Sequence, residues 1–339
     1  MKQVHKAEEI SNIAFGFMAS KALFVGLHCS LFTLLSKKTL SSIDLAELVK
    51  VPENRISTIC TALTSIGLLI REDGMYKNSI GAEKYLVKGA KHDFGDYLRL
   101  QIDRQMYGFM QQLEGVVNNN MDNDFIDSYA KWMDNEEEAK LYSESQHAGS
   151  LGPGVTLSRL IDFSKVNSLL DVAGGTGGFA IRLCERYPNI NITIIDFPNV
   201  IKLGIKKVSE AGFSDKIHFV GCDALDYNWP PRKFDAVLMS YLYNGVPGGE
   251  IPKLSAKAFS VINPGGICII HDFMAEDDRN GPHLAALWQL QHLAFTPAAK
   301  SLTPSWVSKI LEDVGFSKIV NKVLIPGMTK VVWGIKPKH

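Results

Sequence analysis

The chain has 339 residues, which is enough for two domains or for one large domain. Hydrophobic residues make up 46% and charged residues 21%, a composition typical of packed globular proteins that excludes wholesale disorder. The 36 basic and 36 acidic side chains give a formal net charge of zero, so the clustered basic excess that nonspecific nucleic-acid binding requires is not expected. The five cysteines are scattered without a CxxC pair, which indicates neither disulfides nor a metal site and favours reduced thiols in a cytoplasmic protein.

An apolar stretch runs from Ile13 to Leu35 near the start of the chain. Lys21 and His28 interrupt it, and the uncharged remainder is shorter than the ~20 residues that a membrane-spanning helix needs. The preceding residues carry mixed charge, unlike a secretory signal. We therefore expect a buried or subunit-interface helix and no membrane partner.

Residues 1–90 have the pattern of a winged helix, in which helices are followed by a small hairpin. Ser42 begins a capped helix, and a second helix runs from Pro52 to a glycine cap at Gly67. Two short apolar runs on either side of Gly74 then predict strand, turn and strand. This pattern predicts a mainly α domain at the N-terminus.

A winged helix raises the alternative of a cofactor-sensing regulator that binds DNA. Arg55 is the only basic residue of the second helix, whose centre offers threonines and a cysteine that make few contacts with phosphates. A structural module is therefore favoured, and we expect no nucleic-acid partner.

Residues 91–150 are polar and rich in aromatic side chains, and we predict a helical linker and substrate-cap layer there. A loop is expected inside this layer, at Asn118–Asn120 and Asp122–Asp124.

A further domain is expected at residues 151–339, and from Val166 its pattern changes to strands that alternate with helices. The predicted strands are Ser168–Val172, Asn191–Ile195, Ile217–Val220, Ala236–Met239 and Ile267–Ile270. Such alternation predicts a parallel, doubly wound sheet, which binds its ligands at the carboxyl ends of the strands.

A glycine-rich loop, Asp171-Val172-Ala173-Gly174-Gly175-Thr176-Gly177-Gly178, follows the first strand and opens a helix. Glycines there let the backbone approach a ligand closely. Asp196 ends the second strand and can accept hydrogen bonds from ribose hydroxyls, and Asp223 follows the third, where it can meet the amine of an adenine. The spacing Gly175-x-Gly177-x-x-Ala180 also fits a dinucleotide fingerprint, so an NAD-dependent dehydrogenase is an alternative.

With these residues, the second half resembles class I methyltransferases that use S-adenosylmethionine (SAM). The whole chain resembles the dimeric plant-type O-methyltransferase-like family. The matching segments are Asp171–Gly177, Asp196–Val200, Gly221–Ala224, Asn263–Gly266, Asp272–Phe273, Asp278–Pro282 and the stretch from Trp306 to Phe316. One departure is Ala173, where the family usually has glycine. The resemblance implies a mainly α winged-helix dimerisation domain, an α/β Rossmann-like methyltransferase domain, and a homodimer formed through the N-terminal helices.

The resemblance also implies that SAM is the cofactor. Glycines of the loop would contact its methionine part, Asp196 its ribose and Asp223 its adenine, with Tyr241 near the sulfonium centre. The implied cofactor-binding residues are Asp171, Gly174, Gly175, Gly177, Asp196, Phe197, Asp223, Ala224, Ser240 and Tyr241.

A second departure concerns the catalytic base. In O-methyltransferases of this family, a His-Asp-Trp segment follows the fourth strand, and its histidine deprotonates the acceptor hydroxyl. Here Tyr243 or Asn244 falls at that position. Asparagine is not a base, and tyrosine, with a reference pKa of ~10, is a poor one near neutrality. A thioether carries a free lone pair and no proton, so its methylation requires only proximity and alignment, and aromatic faces stabilise the sulfonium product.

Histidines elsewhere in the chain keep O-methylation open. His147 precedes the α/β half, and His271 follows the fifth strand. His292 lies on a helix that also carries Trp288 and Gln291 on the same face. Each could act as a base or hold a substrate carboxylate. No catalytic residue is assigned, and the candidates for positioning a small-molecule substrate are Tyr142, Gln146, His147, Tyr243, Asn244, Trp288, Gln291 and His292.

The altered base position, the segment Gln146–Pro153 and the helix Leu287–His292 are similar to one subgroup of this family. Its members are S-methyltransferases that act on 4-methylthio-2-hydroxybutyrate in dimethylsulfoniopropionate synthesis. S-methylation of a small thioether acid is therefore the favoured function. O-methylation of a phenolic or polyketide hydroxyl is the main alternative, and a carbon-methylating relative also fits.

Overall fold

The computed structural model describes residues 3–121 and 125–338, so the predicted loop residues Asp122–Asp124 lie outside the described residues. The chain divides into two compact units, Met1–Gln105 and Met106–His339.

The first unit has the predicted winged-helix pattern. Ser41 caps the helix Ser42–Val49 by accepting a hydrogen bond from the backbone N–H of Asp44. A bridge between Leu40 and Tyr76 extends the hairpin. The elements are α1 (Ala7–Ala14), α2 (Gly16–His28), α3 (Leu31–Leu34), α4 (Ser42–Val49), α5 (Glu53–Ser65), β1 (Leu69–Glu72), β2 (Met75–Asn78), α6 (Ile80–Tyr85) and a π-helix at Tyr97–Met106.

The apolar N-terminal stretch forms helix α2 and part of α1. Helices α1 and α2 together, Ala7–His28, are long and apolar enough to cross a membrane by length and composition alone, although Lys21 interrupts them. That is weak evidence for a span, because core helices of soluble proteins pass the same test. Within the stretch, Ile13, Phe15, Phe17 and Met18 are exposed in the single chain, whereas Phe24, Leu27, Leu31, Phe32 and Leu35 are buried.

The second unit begins with helices and continues as an α/β sandwich. Its helices are α7 (Tyr107–Met110), α8 (Leu113–Val117), α9 (Tyr129–Met133), α10 (Glu136–Leu160), α11 (Gly178–Arg186), α12 (Pro198–Glu210), α13 (Ile251–Val261), α14 (His283–Phe295) and α15 (Pro304–Val314). Short 3₁₀ turns lie at Ala224–Asp226 and Tyr243–Gly245. Its strands are β3 (Ser168–Val172), β4 (Asn191–Asp196), β5 (Ile217–Gly221), β6 (Phe234–Ser240), β7 (Ile262–Phe273), β8 (Ser317–Ile325) and β9 (Thr329–Ile335).

The predicted boundary at residue 150 falls inside helix α10. The helix continues through Pro153 and through glycines at positions 149, 152 and 154. Helix packing explains the glycine at position 154, because a Cβ there would lie 3.2 Å from the Cα of Phe179 on α11. The glycine therefore serves close helix packing rather than a domain linker.

The sheet has the order β5-β4-β3-β6-β7-β9-β8. The five predicted strands pair in parallel, as expected, and two strands that were not predicted extend the sheet: β9 pairs antiparallel with β7 and with β8. Strand β8 was not predicted because it is a partly exposed edge strand that carries lysines and lacks a continuous apolar run.

Successive residues of β3 enter opposite cores, with Leu169 packed on one face of the sheet and Leu170 on the other. Helices therefore cover both faces, as parallel sheets require. The carboxyl ends of β3 to β7 meet along one edge, and the loops that follow them form the site.

Candidate functional site

A cavity that opens to solvent lies at the carboxyl edge of the sheet. Most of the predicted cofactor-binding residues line it: Asp171, Gly174, Gly175, Asp196, Phe197, Asp223, Ala224, Ser240 and Tyr241. Gly177 does not. It caps α11 with φ +80°, and a Cβ there would lie 3.1 Å from side-chain atoms of Ile194 and Val208. Its role is therefore the close approach of helix to sheet.

The glycine loop places its backbone against the cavity. Gly175 has a left-handed φ of +59°, and Ala173 adopts φ +55°, which is uncommon for a residue with a Cβ. The departure at Ala173 therefore keeps the conformation that a glycine would favour. A Cβ on Gly174 would lie 2.6 Å from Cγ of Asp171, so this position admits only glycine without rearrangement.

Asp171 is the most perturbed acid of the cavity. It is 1% exposed, and neither of its carboxylate oxygens accepts a hydrogen bond from a described residue. Burial, with a smaller contribution from nearby Asp196, raises the pKa of Asp171 to about 8. An unpaired buried carboxylate in a cavity wall fits a cationic group, and SAM carries two, an ammonium and a sulfonium.

Asp196 is held by two backbone donors. Its carboxylate accepts hydrogen bonds from the N–H groups of Gly175 and Phe197, each at 2.7 Å. Burial nevertheless raises the pKa of Asp196 to about 6. Asp223 accepts a hydrogen bond at 2.8 Å from the N–H of Leu225, and burial raises its pKa as well. Fixed carboxylates of this kind, with unused lone pairs, suit the hydroxyls and amine of a nucleoside.

The described cavity wall holds these three aspartates and contains no lysine, arginine or histidine. Such a wall favours a ligand with positive charge. The residues present therefore fit SAM, and the acids would hold it along the edge of the sheet.

Two of the predicted substrate-positioning residues, Tyr142 and Gln146, line the cavity. Tyr142 forms side-chain hydrogen bonds with Gln146 and with Tyr129, and burial raises its pKa to about 12. The sequence analysis did not identify Tyr129 as a site residue. The helix-capping residue Ser128 before it marks the start of α9 and was the available signal for a helix there. Its ring packs edge-on against Tyr142, with the two centroids 5.8 Å apart.

Tyr243 and Asn244 occupy the expected base position, but neither lines the cavity. Tyr243 is fully buried in the core, where its hydroxyl lies 2.7 Å from Oγ of Ser255. The side-chain amide of Asn244 donates hydrogen bonds to Oδ1 of Asp272 and to the carbonyl of Phe273, each at 2.7 Å. The expectation that they position a substrate finds no support in this geometry, because the 3₁₀ turn directs both side chains inward.

The candidate histidines also lie outside the cavity wall. His147 is hydrogen bonded through Nδ1 to the hydroxyl of Thr176 at 2.8 Å, and burial lowers its pKa to about 4. His292 is 4% exposed, and burial lowers its pKa to about 3. Both rings are therefore neutral and weakly basic near pH 7.

Trp288 and Gln291, which share a face of helix α14 with His292, lie next to the site but outside its wall. Trp288 stacks on Phe273 with centroids 4.6 Å apart, and Phe273 in turn packs against Tyr241 at 5.4 Å. Gln291 is buried, with its amide nitrogen 3.4 Å from Nε2 of His292. Neither residue lines the cavity.

Residues 120–317 match the family model of the O-methyltransferase domain, and residues 11–88 match that of the O-methyltransferase dimerisation domain. The 3-hydroxy-5-methyl-1-naphthoate 3-O-methyltransferase of Streptomyces sahachiroi is 26% identical over 328 residues, which cover 96% of this chain and 94% of that protein. The L-tyrosine C(3)-methyltransferase of Streptomyces lavendulae is 26% identical over 349 residues, which cover 95% and 90%. The crystal structure of human N-acetylserotonin methyltransferase in complex with SAM superposes with a TM-score of 0.86 at 20% identity, covering 99% of this chain and 100% of that one.

Proposed function

Because the chain belongs to the SAM-dependent O-methyltransferase family, we propose that it methylates the sulfur of a small thioether acid, such as 4-methylthio-2-hydroxybutyrate. Membership replaces the dehydrogenase interpretation of the Gly175–Ala180 spacing. It leaves the acceptor open, since the relatives that match include one named for carbon methylation and one named for oxygen methylation.

The composition of the cavity wall carries this proposal. The position at which the family's histidine is expected holds Tyr243 and Asn244, and both are bonded inside the core. The described wall contains no histidine, and His147 and His292 lie behind it with strongly lowered pKa values. A hydroxyl acceptor would lack an effective base here, whereas a thioether sulfur needs none.

SAM, when bound, supplies a methyl group on a positively charged sulfur. The protein's part is then to hold the acceptor sulfur in line with that methyl and to exclude water, which can lower the barrier by ~7–11 kcal/mol. The product is a new sulfonium cation. The aromatic rings of Tyr129, Tyr142 and Tyr241 line the cavity and would stabilise that cation by ~0.5–2 kcal/mol for each well-placed face.

Neutral donors would hold the polar end of the acceptor. The hydroxyl of Tyr142 and the amide of Gln146 lie in the wall and are bonded to each other. With a pKa of about 12, Tyr142 keeps its proton near neutrality and can donate it in a hydrogen bond to a carboxylate or a hydroxyl.

The decisive experiment compares two acceptors that differ in one atom group. These are 4-methylthio-2-hydroxybutyrate and 2-hydroxyhexanoate, in which a methylene replaces the sulfur while the carboxylate and hydroxyl remain. We expect S-adenosylhomocysteine release with the first acceptor only, and a permanently cationic product in the mass spectrum. Equal turnover of both, or turnover of phenolic acceptors alone, would refute the proposal.

The pH dependence gives an independent check. Asp171 and Asp196 of the wall have pKa values of about 8 and 6, so the measurement is made at saturating SAM, which would cover both acids. Under that condition kcat/KM for the thioether should be flat between about pH 6 and pH 8, because burial lowers the pKa values of His147, His271 and His292 to about 4 or below. A single rise with an apparent pKa of about 6.5 would indicate a histidine base and favour O-methylation.

We also infer that the chain works as a cytoplasmic homodimer. The residues that match the dimerisation domain include most of the exposed apolar face of α1 and α2. All five cysteines are free thiols, as a reducing compartment would keep them. Sedimentation equilibrium should give twice the 37.5 kDa chain mass, and a stable monomer would contradict the inference.

A further inference from the structure

Gly245 and Tyr129 meet in the cavity wall so closely that any larger residue at position 245 would have to displace the tyrosine ring. A Cβ on Gly245 would lie 2.5 Å from Cε2 and 3.0 Å from Cδ2 of the Tyr129 ring. Gly245 has no positive φ, so its backbone conformation does not call for glycine. The missing side chain therefore makes room for the tyrosine ring.

Both partners of this contact are held in place. The carbonyl of Gly245 accepts a hydrogen bond from Thr296 at 3.3 Å, and the preceding Asn244 is anchored to Asp272. The ring of Tyr129 packs at right angles on Phe295, with centroids 4.9 Å apart. Because neither side can move freely, the contact forms a rigid part of the wall.

The position of the contact along the sheet tells which part of the cavity it bounds. Asp223 follows β5 and Gly245 follows β6, with β4 and β3 between these two strands. Adjacent strands are spaced by about 4.8 Å, so the two residues stand at strand ends about 14 Å apart. The acids that suit a nucleoside therefore lie toward one end of the cavity, and Gly245 with Tyr129 lies toward the other.

We propose that the Gly245–Tyr129 contact closes the acceptor end of the cavity and restricts the enzyme to short, unbranched acceptors. This inference rests on the proposed thioether chemistry and adds to it a determinant of acceptor length. The ring fills space that a longer or aromatic acceptor would need.

The test uses three acceptors of increasing length: 4-methylthio-2-hydroxybutyrate and its homologues with one and two further methylenes in the chain. With the wild-type protein, kcat/KM should fall about tenfold or more with each methylene. In Tyr129→Leu and Tyr129→Ala, the fall in kcat/KM for each added methylene should be about threefold or less. The Kd of each variant for SAM should stay within about twofold of the wild-type value. The Kd also verifies that the variants are folded.

A double-mutant cycle tests the contact itself. Gly245→Ala should lower kcat/KM for the short acceptor about tenfold, because its Cβ displaces the ring, but should have little further effect in Tyr129→Ala. Gly249→Ala is the matched control, since a Cβ there meets nothing within 4 Å. Suppose that the wild type is active on the thioether. Then this inference alone would be overturned if kcat/KM fell with acceptor length in Tyr129→Ala as it does in wild type, or if the effects of the two substitutions were additive. A wild type that turns over no thioether would defeat the proposed function, and this inference with it.

Discussion

Asn244 donates two hydrogen bonds to the carboxylate of Asp272. The Asn244 side-chain amide donates to Oδ1 at 2.7 Å, and its backbone N–H donates to Oδ2 at 3.0 Å. Burial still raises the pKa of Asp272 to about 6, and these hydrogen bonds oppose that rise. The pair joins the turn after β6 to the end of β7, so the segment that would carry a base is instead a fixed part of the core.

Replacement of Asn244 should therefore affect stability first. Asn244→Ala leaves Oδ1 of Asp272 and the carbonyl of Phe273 without this donor, and we expect a loss of about 2–3 kcal/mol in the free energy of unfolding. Urea denaturation at pH 7 measures it. Asn244→His should be destabilised similarly and should gain no activity on phenolic acceptors. A change below about 0.5 kcal/mol for Asn244→Ala would contradict the anchoring role.

Tyr243 offers a second test of the same segment. Tyr243→Phe removes only the hydroxyl that lies 2.7 Å from Ser255, so unfolding should cost about 1 kcal/mol less. Because the ring lies in the core and not in the cavity wall, kcat should stay within about twofold of the wild-type value. Denaturation and steady-state rates at saturating SAM measure the two effects. A loss of kcat without a loss of stability would show that the hydroxyl takes part in the reaction.

Asp171 should make the ligand-free protein less stable as the pH rises. Its pKa is raised from 3.8 to about 8 in the folded chain, so the stability contributed by the protonated carboxyl is complete below about pH 4. That contribution is lost as the pH rises through about 8, where a charge must be buried. Asp171→Asn stays neutral, so ligand-free Asp171→Asn should be more stable than wild type at pH 8 and similar to it at pH 4.

The same variant should bind SAM about tenfold or more weakly, because a charge-assisted hydrogen bond of about 1.5–3 kcal/mol is lost. Denaturation at the two pH values and calorimetric titration with SAM measure these effects. If ligand-free Asp171→Asn is less stable than wild type at pH 8, the buried carboxyl does not have a raised pKa. If the variant binds SAM as tightly as wild type, the carboxylate does not contact a cationic group of SAM.

Two glycine substitutions separate the cofactor loop from the surrounding fold. In Gly174→Ala the new Cβ would lie 2.6 Å from Cγ of Asp171 and 3.0 Å from Ile194, so we expect SAM affinity to fall at least about tenfold. In Gly152→Ala the Cβ meets nothing within 4 Å and lies in helix α10, so this control should be neutral or more stable by about 0.5–1 kcal/mol. Calorimetry with SAM compares them. Equal affinities would contradict the tight fit at Gly174.

The sequence alone determined the fold class and most of the cofactor half of the site. Glycines and aspartates recur at the ends of predicted parallel strands, and parallel strands bring their carboxyl ends to one edge. Residues such as Asp171, Asp196 and Asp223 could therefore be placed together without coordinates. Strand β8 and the continuity of α10 through Pro153 were not predictable in this way, because local propensity opposes what tertiary packing enforces.

The acceptor half was decided by tertiary structure. Whether Tyr243 and Asn244 face a ligand or the core depends on the direction of one 3₁₀ turn, which contacts with Ser255 and Asp272, distant in sequence, hold in place. The same holds for Tyr129, whose place in the wall depends on a glycine more than a hundred positions later in the chain. Periodicity along the chain reports which residues share a face of one element, but the direction of a side chain in a loop is set by partners that only the folded chain brings near.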